Sequence, residues 1–282
     1  MTRDAPLLEP TKEGLERHIA KVLHQRKDIL RKTFFNSIDE VGVRYVAIDE
    51  LLPTEWATAI ALAFPKPKEM RLMKSFRERK YTSKAFDEFD PLLRDITFAF
   101  QSSDVISLVE EITGILDQSP DSHLYAGGLS AMGKGHYLSP HIDNSHDFSR
   151  SCYRTLNLLY YVTPDWREEF GGNLQLWDNV VRENVIIHSR FNRLVLMETT
   201  PTSWHSVNPV KVDGLRKCVS NYYFSDRSPT GEAYFNVTAF NAPPDRPFLR
   251  LWSRADNGVR NLVRKVRPSG VGKVDLYRGP PK

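Results

Sequence analysis

The chain has 282 residues, of which 40% are hydrophobic and 26% charged, and this composition is typical of a soluble globular protein. The longest apolar run, ATAIALAF, is too short to cross a bilayer, and the early acidic residues and prolines do not resemble a secretory signal. Cys152 and Cys218 are the only cysteines, which excludes a disulfide scaffold and leads us to expect a cytoplasmic protein.

The formal net charge of +4 is distributed unevenly along the chain. Residues 246–282 contain ten Lys or Arg against two Asp, a local net charge of +8, so the remainder carries −4. We therefore expect the body of the chain not to bind nucleic acid. Charged faces are most often simply solvated, and contact of this basic tail with a membrane surface or a partner is the alternative.

Helices and one strand are predicted before residue 120. Residues 11–34 have apolar positions at helical spacing, residues 43–49 are typical of a strand, and residues 53–64 predict a helix with a proline in its first turn. Two further helices are predicted between residues 90 and 116, where Ser-Ser-Asp is a capping signal.

Eight short segments rich in β-branched and aromatic residues begin near residue 122. Each is bounded by Gly, Pro, Asn or Asp, as β-strands are. The segments are HLYAGGLSAM, HYLSPHI, YRTLNLLYYV, GGNLQLWD, ENVIIHS, RLVLMET, WHSVNPV and RKCVSNYYF. This pattern predicts a mainly β protein, a sandwich or jelly roll with the N-terminal helices packed on its outside.

Three parts of the chain follow from these patterns. We expect a helical extension at residues 1–40, a domain at 41–226 whose jelly-roll core spans about 122–226, and a basic extension at 227–282. Apolar residues between 245 and 282 recur at helical spacing, with arginines on the other face, and predict a C-terminal basic helix.

The stretch SPHIDNSH places His141 and Asp143 two residues apart. By itself the motif indicates a metal site no better than a loop pair. In YRTLNLLYYV, alternation puts Thr155, Asn157, Leu159 and Tyr161 on one face of the strand. Polar groups inside a jelly roll need partners, so this face indicates a site rather than a core.

His205 and Arg216 open two consecutive predicted strands, and KVDG is the hairpin turn expected between them. A buried arginine is costly unless it meets an anion, and no acid lies in the strand opposite. An incoming carboxylate is the natural partner, because the guanidinium forms a bidentate pair with it. Two imidazoles and one carboxylate, with other positions open, suit a non-heme Fe(II) centre.

The order His-x-Asp, Tyr-Tyr, Gly-Gly, a distant His and then Arg resembles the iron(II)/2-oxoglutarate-dependent dioxygenases, in particular their prolyl-4-hydroxylase-like branch. The motifs that carry the resemblance are HIDN, LLYYVTPDW, FGGNLQLW, FNRLVLM, WHSVNPV and RKCVSNYYF, within residues 122–226. The family fold is a double-stranded β-helix. The resemblance implies Fe(II), 2-oxoglutarate and O₂ as cofactor and co-substrates, with ascorbate as an optional addition.

Carried over by position, the resemblance implies His141, Asp143 and His205 as iron ligands. It implies Arg216 as the anchor of the 2-oxoglutarate C5 carboxylate, and Asn157 and Tyr161 as residues that line the co-substrate pocket. Two departures stand out. Many relatives use lysine as the anchor, and Lys217 adjoins Arg216 here; Cys218 replaces the serine of an Arg-x-Ser pair.

The resemblance implies a hydroxylase of unactivated C–H bonds that forms succinate and CO₂. The resemblance does not determine whether the substrate is a prolyl side chain, another amino-acid side chain or a small metabolite. Desaturation or ring closure would use the same iron site. The alternatives are a non-catalytic jelly-roll binding module and a cupin-type metal enzyme that does not use 2-oxoglutarate.

We expect His146 to be a loop residue at the site rim, and His136 and His188 to be structural. The sequence does not determine the oligomeric state.

Overall fold

The computed structural model describes residues 10–83, 86–125, 127–242, 244, 248, 277 and 279. The predicted C-terminal basic helix lies outside these residues. The division into three parts therefore stays a prediction.

Among the described residues, five α-helices lie in the N-terminal half of the chain, and the sequence predicts four of them, all except the short second one. They are α1 (Lys12–Asn36), α2 (Ile38–Val41), α3 (Thr54–Ala63), α4 (Pro91–Ala99) and α5 (Ser103–Thr113). The capping signal acts as predicted, since the Ser102 side chain accepts a hydrogen bond from the Val105 amide. Among the helices described, none combines the length and the apolar character that crossing a membrane requires.

In the described part of the chain, thirteen strands form one continuous antiparallel sheet. They are β1 (Tyr45–Ile48), β2 (Arg71–Lys74), β3 (Glu78–Thr82), β4 (Ser119–Pro120), β5 (Gly128–Met132), β6 (Tyr137–Ile142), β7 (Tyr153–Tyr161), β8 (Leu174–Trp177), β9 (Asn184–Ile187), β10 (Arg193–Glu198), β11 (His205–Val207), β12 (Arg216–Ser225) and β13 (Ala239–Phe240). Strands β5 to β12 are the eight segments that the sequence predicts.

The sheet folds into two layers. One layer has the order β1-β10-β7-β12-β5 and the other the order β6-β11-β8-β9, and β3 joins them by pairing with both β5 and β6. Strands β5 to β12 contribute four strands to each layer, and β1 extends the edge of the first layer. Two packed four-stranded layers with these long connections are a jelly roll, or double-stranded β-helix. The predicted fold class is confirmed for the described part of the chain.

The hairpin predicted between His205 and Arg216 is wrong. Strand β11 pairs with β6 and β8, whereas β12 pairs with β4, β5 and β7, so the two strands lie in opposite layers. Residues 208–215 cross from one layer to the other. A turn sequence such as KVDG limits local backbone geometry, but the layer that each strand joins depends on distant partners.

The helices cover the outer face of the first layer. The largest hydrophobic cluster joins buried residues of α1, α3, α4 and α5 to Leu156, Leu158 and Tyr160 of β7. A smaller cluster, which includes Tyr161 and Cys218, lies between the layers. Alternate residues of β7 therefore serve different purposes: one set anchors the helices, and the other faces the interior, where polar side chains collect.

Candidate metal and co-substrate site

His141 and His205 face each other across neighbouring strands. His141 lies near the end of β6 and His205 begins β11, and the two residues are register partners in the antiparallel pair. Their ring centroids are 4.0 Å apart. Asp143 follows β6, two residues after His141, so strand alternation brings its side chain to the same face.

The three side chains converge on one point. The His141 Nε2 atom lies 3.6 Å from Asp143 Oδ1, and the His205 Nε2 atom lies 3.5 Å from Asp143 Oδ2. Ligand atoms of all three residues lie within 4.8 Å of one another. Both histidines are buried. The arrangement could hold a metal ion with two imidazoles and one carboxylate on one side of it.

Backbone carbonyls orient both imidazoles. The Nδ1 atom of His141 lies 3.0 Å from the Ser139 carbonyl oxygen, and the Nδ1 atom of His205 lies 3.0 Å from the Ser203 carbonyl oxygen. A carbonyl can only accept, so each Nδ1 carries a proton, and each Nε2 is the ring nitrogen that faces Asp143. Such outer hydrogen bonds fix the ring orientation of metal-binding histidines.

Asp143 accepts hydrogen bonds from two side chains on β7. The Asn157 Nδ2 atom lies 2.8 Å from Asp143 Oδ2, and the Arg154 Nη1 atom lies 3.0 Å from the same oxygen. Burial alone would raise the pKa of the carboxyl group, but Arg154, His205 and His141 lower it by more, so the pKa falls well below its ordinary value.

Burial and, to a smaller extent, the neighbouring His205 lower the pKa of His141 to about 3, against the opposing effect of Asp143. At neutral pH the site therefore contains an ionised carboxylate and a neutral His141. These are the protonation states in which such groups bind a metal ion.

A cavity of about 460 Å³ extends from these three residues through the interior and is lined at its inner end by Arg216. Arg216 is buried, its guanidinium lies 5.3 Å from the centroid of the Tyr161 ring, and its Nη2 donates to Met132 Sδ at 2.8 Å. Its Nε has no hydrogen-bond partner among the described residues. Lys217 points the other way and donates to the Ala61 carbonyl oxygen at 2.7 Å.

Gly172 allows the chain to pass close to Arg216. A Cβ atom at this position would lie 3.0 Å from Val210 Cγ2 and 3.4 Å from Arg216 Cγ, and the backbone has a φ of +71°. Both the close approach and the left-handed conformation favour glycine. The Gly-Gly pair lies just before β8 and leaves space for the arginine stem.

The remaining histidines lie outside the cluster of possible ligands. His146 stacks against Tyr153, with centroids 4.4 Å apart, and its Nδ1 lies 2.7 Å from Ser145 Oγ. His136 packs against Tyr81, with centroids 4.9 Å apart, and the Nε2 of His188 lies 2.9 Å from the Trp166 carbonyl oxygen. These contacts agree with structural roles.

Arg154 is the main residue that the sequence interpretation missed. Simple alternation in β7 places it on the outer face with Leu156, yet it lines the cavity and is 1% exposed. The register with β12 shifts between Tyr223, which faces Leu156, and Phe224, which faces Arg154, so β7 contains one extra residue there. Such a bulge reverses the facing of every residue beyond it.

Comparison with known proteins agrees with this geometry. Residues 127–225 match the model of the 2OG-Fe(II) oxygenase superfamily. The chain contains a 2OG-Fe(II) oxygenase domain. This confirms the family that the sequence motifs indicated, together with Fe(II) and 2-oxoglutarate as the family's cofactor and co-substrate.

The oxygenase domain resembles prolyl hydroxylases. It is 32% identical over 108 residues to a protein named prolyl 3-hydroxylase OGFOD1 from Xenopus laevis, over 35% of this chain and 21% of that protein. The match thus covers about a fifth of the relative's length.

Solved structures of prolyl hydroxylases share the fold. One is the Trichoplax adhaerens prolyl hydroxylase in complex with a hypoxia inducible factor oxygen degradation domain peptide fragment, with a TM-score of 0.51 and 19% identity over 72% of this chain and 92% of that chain. Another is a Pseudomonas putida prolyl-4-hydroxylase, with a TM-score of 0.50 and 13% identity over 70% of this chain and 98% of that chain.

The residues of the site fit the family's cofactor and co-substrate. Two imidazole nitrogens and a carboxylate are the donor set of non-heme Fe(II) oxygenases. The buried Arg216, whose Nε finds no hydrogen-bond partner in the part of the chain that the structure describes, suits the distal carboxylate of a 2-oxo acid. His141, Asp143 and His205 could thus bind the metal, and Arg216 could hold the co-substrate.

Proposed function

We propose that the chain is an Fe(II)- and 2-oxoglutarate-dependent dioxygenase that hydroxylates an unactivated C–H bond. One observation carries the proposal: the cluster of His141, Asp143 and His205 and the buried Arg216 line the same cavity. When bound, Fe(II) and 2-oxoglutarate activate O₂, with 2-oxoglutarate converted to succinate and CO₂ as oxygen is inserted into the substrate.

His141, Asp143 and His205 hold the metal in this proposal. The Nδ1–H groups of His141 and His205 already donate to carbonyl oxygens, so neither imidazole has to reorient before it binds the metal. Asn157 positions the carboxylate of Asp143 by donating to Oδ2. Asp143 is the only anionic ligand of the three, and its negative charge favours the binding of a divalent cation.

Arg216 holds the distal carboxylate of 2-oxoglutarate. A carboxylate partner would offset the desolvation of a buried guanidinium and satisfy its Nε. Tyr161 supports the arginine through its ring face, which is 5.3 Å from the guanidinium carbon. Apolar side chains of Leu159, Leu174 and Val207 complete the walls and help exclude water.

The names of the similar proteins support a prolyl residue as the group that is hydroxylated. Another amino-acid side chain or a small metabolite would use the same site. A non-catalytic binding module would not require a complete ligand set, and a cupin-type enzyme would not require Arg216 in the cavity.

The test is a cofactor-omission assay on the purified chain. We expect succinate to form only when Fe(II), 2-oxoglutarate and O₂ are all present, and a true substrate to accelerate it and to gain the mass of one oxygen atom. Proline-containing peptides and amino acids are screened in parallel. Substrate oxidation without 2-oxoglutarate would favour the cupin alternative, and failure to bind 2-oxoglutarate at all would favour the binding module.

A further inference from the structure

Residues 234–242, here called the strap, follow the last long strand and pass back over the metal site. The strap lies beyond residues 127–225, the part of the chain that matches the oxygenase family. It contains β13, which pairs with β6, and its side chains of Thr238 and Phe240 line the cavity. The sequence interpretation placed the strap in the C-terminal extension and gave it no part in the site.

Phe240 belongs to the row of side chains that contains both imidazoles. His141 on β6 is the register partner of Phe240 on β13 and of His205 on β11, so β6 lies between the other two strands at this position. Side chains of register partners lie on the same face of a sheet. The His141 ring stacks on Phe240, with centroids 5.5 Å apart and 19° between the planes, and the His205 ring is 4.0 Å from it. His141 is therefore held between two rings.

The packing of Phe240 limits the rotation of the His141 ring. Both side chains are almost completely buried, with 6% of Phe240 and 5% of His141 exposed. The hydrogen bond from Nδ1 to the Ser139 carbonyl oxygen fixes one atom of the imidazole, and the phenyl ring fills the space beside it. A ligand whose rotamer is fixed by packing is already in place when the metal binds.

Asn236 holds the backbone of the second ligand, Asp143. Its Nδ2 donates to the Asp143 carbonyl oxygen at 2.8 Å. Two further hydrogen bonds join the strap to Ser145: the Ser145 amide donates to the Asn236 carbonyl oxygen at 3.0 Å, and the Asn236 amide donates to Ser145 Oγ at 2.9 Å. Because Asp143 lies just past the end of β6, these contacts fix a backbone that the strand ladder does not.

Two parts of the chain thus position Asp143. Strand β7 holds its carboxylate through Arg154 and Asn157, and the strap holds its backbone. The carboxylate oxygens lie 3.6 Å and 3.5 Å from the Nε2 atoms of His141 and His205. A shift of the Asp143 backbone would change these distances, and a functional site tolerates a displacement of only about 0.5 Å.

We infer that Asn236 and Phe240 are positioning residues of the metal site, so that the strap is a working part of the oxygenase although it lies beyond the family match. Neither side chain is a ligand. Asn236 acts through the backbone of Asp143, and Phe240 acts through the ring of His141. The inference rests on the proposed function and deepens it, because it concerns the same metal site.

The test measures binding of Co(II) to the whole 282-residue chain. Co(II) substitutes for Fe(II), and its visible absorption depends on the geometry of its ligands. Asn236→Ala removes the donor to Asp143, and Phe240→Ala removes the ring beside His141. Each should raise the dissociation constant of Co(II) about tenfold, as is typical when a group that orients a ligand is lost. Each should also change the absorption spectrum of the fully loaded protein, which a role in folding alone would not do.

Phe240→Leu keeps most of the buried volume beside His141, so it should retain most of the Co(II) affinity. The strap itself offers two matched controls, Asn241→Ala and Phe235→Ala. The Asn241 Oδ1 atom accepts from the amide of the next residue at 2.9 Å, and Phe235 is 50% exposed; neither side chain lines the cavity. Both controls should bind Co(II) with the affinity and the spectrum of the wild type.

The outcomes distinguish the inference from the proposed function. Thermal unfolding of the metal-free proteins identifies the folded variants, and Asn236 is only half-buried, so its variant decides even if Phe240→Ala does not fold. Wild-type affinity and spectrum in folded Asn236→Ala, or equal weakening by the test variants and their controls, overturns the inference and leaves the proposed function intact. If the wild type binds Co(II) no more tightly than His141→Ala does, the metal site is wrong and the proposed function falls with it.

Discussion

The arginine side chains at the inner end of the cavity are buried, and Asp143 is paired with Arg154. In the hairpin of β2 and β3 (Arg71–Thr82), here called the rim hairpin, the charged side chains are exposed or half-buried and mostly of one sign. At the inner end, Asp143 meets Arg154 and Asn157, and the histidines are fixed by backbone carbonyls. Along the rim hairpin, five basic residues accompany a single acid. A buried site needs exact partners because unpaired polar groups are costly there, but an exposed surface can keep an excess of charge at little cost.

This difference separates the part of the cavity that carries out the chemistry from the part that contacts the substrate at the entrance. Geometry at the inner end is determined by two paired strands and is suited to one metal and one co-substrate. The exposed side chains of the hairpin can vary in sequence without disturbing the jelly roll. Substitutions at the inner end should therefore act on turnover, and substitutions at the rim should act on the choice of substrate.

The largest effect is expected for Asp143→Gly. It removes both a ligand and the negative charge, so metal binding should weaken and hydroxylation should be lost, while 2-oxoglutarate retains its contact with Arg216. Asp143→Glu should also lose hydroxylation, because one methylene moves the oxygen by more than the roughly 0.5 Å that catalytic geometry tolerates. Fe(II) titration and succinate release measure both effects. Near-normal turnover in folded Asp143→Gly protein would show that Asp143 is not a metal ligand.

The next largest effect is expected for Arg216→Ala. This substitution should weaken the binding of 2-oxoglutarate by about 3 kcal/mol, the cost of removing one partner of a buried pair. That corresponds to roughly a hundredfold higher dissociation constant, with Fe(II) affinity nearly unchanged. Lys217→Ala is the matched control, since this neighbour points to Ala61 outside the cavity. If Lys217→Ala raised the 2-oxoglutarate requirement and Arg216→Ala did not, the anchor would be wrongly assigned.

Arg154→Met should have an intermediate effect. The substitution keeps the apolar stem but removes the donor to Asp143, so the carboxylate is held by Asn157 alone. Loss of such an outer partner typically weakens metal binding by about 10-fold or more. Fe(II) titration should show this loss, and Arg154→Lys should restore part of it; unchanged metal affinity in Arg154→Met would show that the ion pair does not position the ligand.

The smallest effect is expected from salt. Raising the ionic strength from about 0.1 M to about 1 M shortens the Debye length from about 10 Å to about 3 Å, which screens exposed charges far more than buried ones. Peptide-stimulated turnover should fall several-fold, whereas peptide-free succinate release should change little. An equal response of both activities would show that the rim and the inner end are not electrostatically distinct.

The sequence predicted the inner end of the cavity better than its rim, for physical reasons. Alternation within β7 and the spacing of His141 and Asp143 are local patterns, because residues two apart in a strand lie on the same face of the sheet. The bulge that turns Arg154 inward depends on its pairing with β12, which no local pattern records. The rim hairpin was missed because RLMKSFRERKYT lacks the alternation of apolar and polar residues that predicts a strand.

The crossing between β11 and β12 shows the same limit. Its turn residues suit a hairpin, but each strand already has two neighbours in its own layer. His205 and Arg216 nevertheless line one cavity, because the layers face each other across it. Their place in one cavity therefore does not depend on the hairpin that the sequence predicted.

The most direct test of the site is a crystal structure with Mn(II), a redox-inactive substitute for Fe(II), and 2-oxoglutarate bound, with the metal located by anomalous scattering. We expect one metal peak bound by the Nε2 atoms of His141 and His205 and by the carboxylate of Asp143, with the distal carboxylate of 2-oxoglutarate paired to Arg216. A metal peak away from these three residues, or a 2-oxoglutarate carboxylate bound to a residue other than Arg216, would contradict the account.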